Sequence, residues 1–233
     1  ILIPHHGHPV EGADKISDLL TDYRDAIQFV HDQTLRYMNK GYTPDEIKEV
    51  VTMPTRLQDH PWLGEFYGSY KHSIPAICVG YLGWYQGDPI TLEPTPWAER
   101  AQRYVDMMGG RETVLARARD ALHGGDAQWA AELATWVVRV NKSDAEARAV
   151  KADALRVWAY NQKNATWRNW GLTSALELDG ELDQAGGGMV LGSPDQVKGS
   201  PLSAIMTVMT VRLKAEESWD TRIRLVFETT DSN

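Results

Sequence analysis

Three histidines, His5, His6 and His8, fall within four positions in the stretch IPHHGHP. Neutral imidazoles at such spacing can bind a divalent metal, and a metal-bound water is an effective nucleophile near neutral pH. A closed zinc site needs about four ligands, so the remaining ones would have to come from elsewhere. The other histidines, His31, His60, His72 and His123, stand singly, and there is no HExxH or CxxC pattern. Spacing alone therefore leaves two readings open, a ligand cluster and a solvated turn, with the solvated turn ahead.

The elements that must carry such groups are mostly helical. From Lys15 to Asn39 the apolar positions Leu19, Leu20, Tyr23, Ile27, Val30, Leu35 and Met38 recur at three- and four-residue steps. Gly41 ends that helix. Thr43, Pro44 and Glu46 then form a capping box for a short helix through Ile47, Val50 and Val51, which Pro54 stops. Pro75 is expected to open a helix that is apolar nearly all round up to Tyr85, and a helix of that kind belongs inside a domain.

A further helix is expected from Thr95 and Pro96 to Met108, closed by Gly109 and Gly110. The chain then settles into helices divided by short turns. ETVLARARDAL ends at Gly124 and Gly125, Asp126 caps AQWAAELATWVVRV, and SDAE supplies a second capping box ahead of ARAVKADALRVWAY. Short loops between helices of this length imply antiparallel hairpins, and the alternation of Ala, Leu and Trp resembles tetratricopeptide-like packing. One clear hairpin with a poorer neighbour can be counted. A helix from Thr166 to Leu178 closes the region, and residues 181–200, rich in Gly and Pro, read as a linker. Beyond it LSAIMTVMTVRL suits a helix, while TRIRLVFE alternates Ile223, Leu225 and Phe227 with polar residues as a half-buried strand does. One helix and one strand cannot fold alone, so they read as the first part of a small α+β module.

Composition narrows the function. The formal net charge of -8 argues against capture of nucleic acid or of an anionic membrane, both of which need a basic field. No stretch reaches the roughly 18 apolar residues of a membrane span, and no signal peptide opens the chain. The compartment stays open. Cys78, the single cysteine, sits in the apolar run AICVGYLGWY and reads as a buried, inert thiol. Nine tryptophans against three phenylalanines suggest Trp-anchored packing. Both ends read as cut from a longer chain, with a strand ending at the first residues.

Six motifs occur in one order: RYMNKGYTPDEI (Arg36 to Ile47), EFYGSYKHSIPAI (Glu65 to Ile77), YLGWYQGDP (Tyr81 to Pro89), RYVDMMGG (Arg103 to Gly110), ADAL (Ala152 to Leu155) and WRNWGLTSALEL (Trp167 to Leu178). Together they resemble the alkylsulfatases of the metallo-β-lactamase superfamily. The resemblance implies residues 1–14 as the end of a zinc hydrolase domain, 15–180 as an all-helical dimerisation domain, 181–200 as a linker and 201–233 as part of a sterol-carrier-like α+β domain. The fold class expected is thus mainly α, a helical-hairpin, tetratricopeptide-like dimerisation domain followed by the start of a small α+β domain.

The resemblance also assigns roles. HHG looks like the turn that carries a late zinc ligand in that superfamily, which makes His6 the metal ligand, while His5 and His8 have no matching role. His72 and Tyr81 fall where relatives approach the sulfate group, and an imidazolium or a phenol there can donate to an anionic oxygen. The implied cofactor is zinc, two ions in the parent site. The HxHxDH signature and the acidic ligands that complete such a site are absent, so this chain alone is expected to be inactive. The implied function is the dimerisation and substrate-covering part of a zinc-dependent sulfuric ester hydrolase acting on alkyl sulfates such as dodecyl sulfate. Its implied partner is a second copy in a homodimer. The alternative is a tetratricopeptide-like interaction module without chemistry.

Overall fold

The computed structural model describes residues 1–85, 87–182 and 193–226. Two compact units divide the chain, Ile1–Leu182 and Asp183–Asn233.

The first unit begins with a loop whose ends are pinned by a single antiparallel bridge. Leu2 and Val10 exchange backbone hydrogen bonds of 2.8 and 2.9 Å. Helix α1 follows over Ala13–Met38 and α2 over Pro44–Val50. The expected capping box is present: the Thr43 side chain accepts from the Glu46 N–H, and the Thr43 N–H donates to the Glu46 carboxylate at 2.8 Å. A one-turn helix, α3, occupies Thr55–Gln58. Helix α4 spans Tyr70–Leu82 and so begins five residues before the expected start at Pro75. The reason lies upstream, where the Glu65 carboxylate accepts from the Tyr70 N–H at 2.8 Å and satisfies a donor of the first turn.

Val30 of α1, Ile47 of α2, Val51, and Ile74 and Cys78 of α4 form one small core. The expectation that α4 is enclosed on all sides does not hold. Ile74 and Cys78 are buried, but Val79, Tyr81, Leu82 and the following Trp84 are exposed, because α1 and α2 cover one side of the helix only.

A 3-10 turn at Pro89–Thr91 leads to α5 (Trp97–Met107), α6 (Arg111–His123), α7 (Ala127–Val140), α8 (Ala145–Tyr160) and α9 (Ala165–Asp179). Each of α6 to α9 packs on the next, so the series holds two complete hairpins rather than one and a poorer neighbour. Its core runs from Val105 of α5 through Val114, Leu115 and Ala118 to Leu133, Ala134 and Val137, then Ala147 and Val150. Alanines set the spacing where α7 meets α8, with Ala130, Ala131 and Ala154 buried together. Gly171 does the same for α9. A Cβ there would lie 2.8 Å from the Cβ of Ala159 and 3.1 Å from the Trp158 ring.

The cap of α8 differs from the SDAE reading. Asp144, not Ser143, accepts from the Ala147 N–H at 3.0 Å, and Glu146 turns to Arg111 and Arg119 instead of closing a box. Arg111 forks onto Asp144 at 2.6 and 2.7 Å, tying the start of α6 to the start of α8.

In the second unit, part of the expected linker is a helix, α10 (Pro194–Gly199), with a capping box made by Ser193 and Gln196. The rest of the Gly-rich linker, residues 183–192, lies outside the described residues. The helix expected in LSAIMTVMTVRL is α11 (Leu202–Thr210), followed by the one-turn α12 (Ala215–Ser218). The expected strand is not found in residues 221–226, and Phe227 lies outside the described residues. Ile223 and Leu225 are exposed, and among the described residues no neighbouring strand is present to complete a ladder. Among the described residues the chain is mainly α, with twelve α-helices.

Candidate functional site

The loop pinned by Leu2 and Val10 carries His5, His6 and His8, all exposed. Gly7 takes φ 126°, a left-handed value that lets the chain turn between the last two histidines. The His6 ring lies flat on Tyr67, with centroids 4.3 Å apart and planes 15° apart. His5 meets the edge of His6 at 5.3 Å, and His8 meets the edge of Trp62 at 6.4 Å. The histidines thus form a shelf with the aromatic residues of segment 62–67.

That segment is held from a distance. Asn164, only 4% exposed, donates from Nδ2 to the Tyr67 carbonyl at 2.9 Å and accepts from the Trp167 N–H at 3.0 Å, so it caps α9 and anchors the loop at once. The Ala165 N–H donates to the Phe66 carbonyl at 2.7 Å. His72, exposed on α4, sets its ring edge against Trp167 at 5.5 Å, and Trp167 stacks on Trp158. His6 and His72 are therefore both tied to the junction between segment 62–72 and the start of α9.

Tyr81 is not at that junction. It follows His72 by nine residues on the same helix, about two and a half turns, or roughly 13.5 Å along the axis and on the opposite side. Its hydroxyl lies 2.8 Å from Nε2 of His31 on α1, and Nδ1 of His31 lies 2.9 Å from Asp32. Asp32 also accepts from Gln28 at 3.3 Å. The hydrogen bond from His31 is the main cause that holds the Asp32 carboxyl below the usual carboxylate range.

Sequence reasoning missed His31, Asp32, Tyr67 and Asn164. The adjacent His31 and Asp32 were the signal for the first pair, since a carboxylate beside an imidazole can orient it. Nothing local pointed to Asn164, whose partner lies 97 positions away. Cys78 is buried, and burial pushes its thiol up, as expected for an inert cysteine.

Among the described residues no three or more His, Cys, Asp or Glu side chains gather as a metal site requires.

Residues 43–181 match the family described as alkyl sulfatase dimerisation. The chain is 44% identical over 238 residues to a linear primary-alkylsulfatase of a Pseudomonas species, covering 97% of this chain and 44% of that protein. It is 40% identical over 179 residues to an (R)-specific secondary-alkylsulfatase of Pseudomonas, covering 76% of this chain and 27% of the other. Among solved structures, a stereoselective inverting sec-alkylsulfatase from Pseudomonas superposes with a TM-score of 0.71 at 38% identity, over 75% of this chain and 28% of that one. The chain spans less than half the length of these relatives.

Proposed function

The chain belongs to the alkyl sulfatase dimerisation family, and from that premise we propose that it is the dimerisation and substrate-covering portion of an enzyme that hydrolyses alkyl sulfate esters, dodecyl sulfate among them. The observation that carries the reading is the family match over residues 43–181, joined to relatives named as alkylsulfatases. A tetratricopeptide-like scaffold would account for the α6 to α9 series alone. It would not account for 44% identity that runs through almost the whole chain.

In this reading the enzyme is zinc-dependent, and His6 contributes one ligand while the others come from outside this chain. Zinc would supply a polarised water. The part of this chain would be to place His72 on one side of α4, or Tyr81 on the other, toward the sulfate group, where a ring N–H or a phenolic O–H donor can meet anionic oxygens. The His6 shelf and the His72 edge share one anchor, Asn164, which would keep a metal-side and a sulfate-side group in register.

The test is sulfate release from dodecyl sulfate. The complete protein that carries this chain is expected to release sulfate, and the isolated chain is expected not to, with or without added zinc. Extensive dialysis of the isolated chain is expected to leave less than one zinc per chain. Sulfate release by the isolated chain, abolished by His6→Ala, would overturn this division of roles.

A further inference from the structure

Tyr81 and His31 form a hydrogen bond whose direction depends on a proton. Nδ1 of His31 faces the Asp32 carboxylate at 2.9 Å, and a carboxylate accepts only, so Nδ1 carries a hydrogen. In the neutral imidazole Nε2 is then bare, and the Tyr81 hydroxyl at 2.8 Å must donate to it. The phenol has one proton, and it is spent. Such a Tyr81 offers an approaching anion only lone pairs. When His31 is protonated the bond reverses, with Nε2–H donating to the phenol oxygen, and the phenolic O–H turns outward.

We propose that His31, oriented by Asp32, is a positioning residue that makes Tyr81 a donor to a sulfo group only after His31 has taken up a proton, so that anion binding at Tyr81 is coupled to protonation. One proton passes from solvent to Nε2 and none passes to the anion. No covalent bond to the ligand forms or breaks. The proposal rests on the reading of Tyr81 as a sulfate-facing group.

The surroundings favour this coupling. His31 is 40% exposed, so solvent can deliver the proton. Asp32 supplies the countercharge, and its carboxyl is held below the usual range chiefly by this contact. From α4, Tyr81 is the group in contact with the imidazole. On α2, Lys48 is paired with Asp45 and Glu46 with Thr43, and none of that helix's charged groups makes an ion pair with His31. On α1 itself, Arg24 is engaged by Asp25 and Arg36 by Gln33. Imidazoles change charge between about pH 5 and 8, where an anion site can respond.

A purely structural tie between α1 and α4 would predict something else, a Tyr81→Phe effect of constant size at every pH. The experiment measures competitive inhibition by decane-1-sulfonate, which cannot be hydrolysed as an ester, in the complete protein from pH 5.5 to 8.5. In the wild-type background Tyr81→Phe is expected to weaken inhibition about tenfold at the acid end, the worth of one charge-assisted hydrogen bond, and by less than about twofold at the alkaline end. In a His31→Gln background the Tyr81→Phe penalty is expected to be equal at both ends. A Tyr81→Phe penalty of equal size at both ends in the wild-type background would overturn the coupling. No penalty at any pH would overturn both the coupling and the sulfate-facing reading of Tyr81.

Discussion

Asn164 and Tyr67, 97 positions apart, are joined by a side-chain amide that donates to a backbone carbonyl at 2.9 Å, while the same side chain caps helix α9. One buried residue thus fixes the loop beneath His6 to the helix that carries Trp167, the ring against His72. Asn164→Ala should remove the cap and leave the Tyr67 carbonyl without its donor. The expected cost is about 2–3 kcal/mol, the sum of a lost cap and a lost buried hydrogen bond. Asn164→Asp retains the acceptor that caps α9 but not the donor, and should fall between Ala and wild type. Urea unfolding followed by circular dichroism gives both values, and equal stability of all three proteins would contradict the anchoring role.

Gly171 gives a second prediction in which two effects compete. Alanine is favoured over glycine within a helix by about 1 kcal/mol. The added Cβ would meet the Ala159 Cβ at 2.8 Å and the Trp158 ring at 3.1 Å, and overpacking of that kind costs about 1–3 kcal/mol. Ala159 is fully buried and its Cβ cannot rotate away, so the clash should prevail. Gly171→Ala is expected to lower the thermal midpoint. A rise would show that α8 and α9 can part without loss.

Asp144 sets a pH dependence. Its carboxyl is lowered to about 2, first by the Arg111 hydrogen bonds and further by the Ala147 N–H. A depressed carboxylate contributes stability that is fully present above its unfolded value, near 4, and is lost as pH falls toward about 2. Asp144→Asn keeps a good cap but loses the ion pair. It should therefore be less stable than wild type at pH 6, with the gap narrowing progressively as pH falls from about 4 toward about 2. Thermal midpoints of the two proteins across that range check it, and a gap that stays constant would contradict the assignment.

These residues also mark what the sequence could reveal. Local chemistry was legible: the Thr43 and Glu46 box, the Asp126 cap and the Gly-ended hairpins depend on residues a few positions apart, and each is found where expected. The Ser193 and Gln196 box carries the same signature as Thr43 and Glu46, but the Gly and Pro that crowd around it give its segment the composition of a linker. Long-range pairing was not legible. The bonds from His31 to Tyr81, from Asn164 to Tyr67 and from Arg111 to Asp144 span 50, 97 and 33 positions, and no period or cap encodes them. The strand expected around Ile223 shows the converse error, since alternation describes a strand only if a neighbour exists to pair with it. Of the candidate site residues, the resemblance supplied His6, His72 and Tyr81, while the side chains that hold them in place emerged only from the fold.

The exposed apolar surface bears on assembly. Leu82 and Trp84 at the end of α4 are each 67% exposed, beside exposed Val79 and Tyr81, and on α1 Leu20, Tyr23 and Ile27 are exposed as well. Closed pairing of identical chains is the commonest way to cover such faces. The match to the alkyl sulfatase dimerisation family takes in α4 but not α1, lying over residues 43–181, and the proposed role of this portion is dimerisation. Light scattering across a dilution series measures this directly. Dimerisation requires a molar mass twice the 26.2 kDa of one chain, unchanged down to low micromolar concentration. A well-behaved species of 26.2 kDa at high micromolar concentration would contradict it.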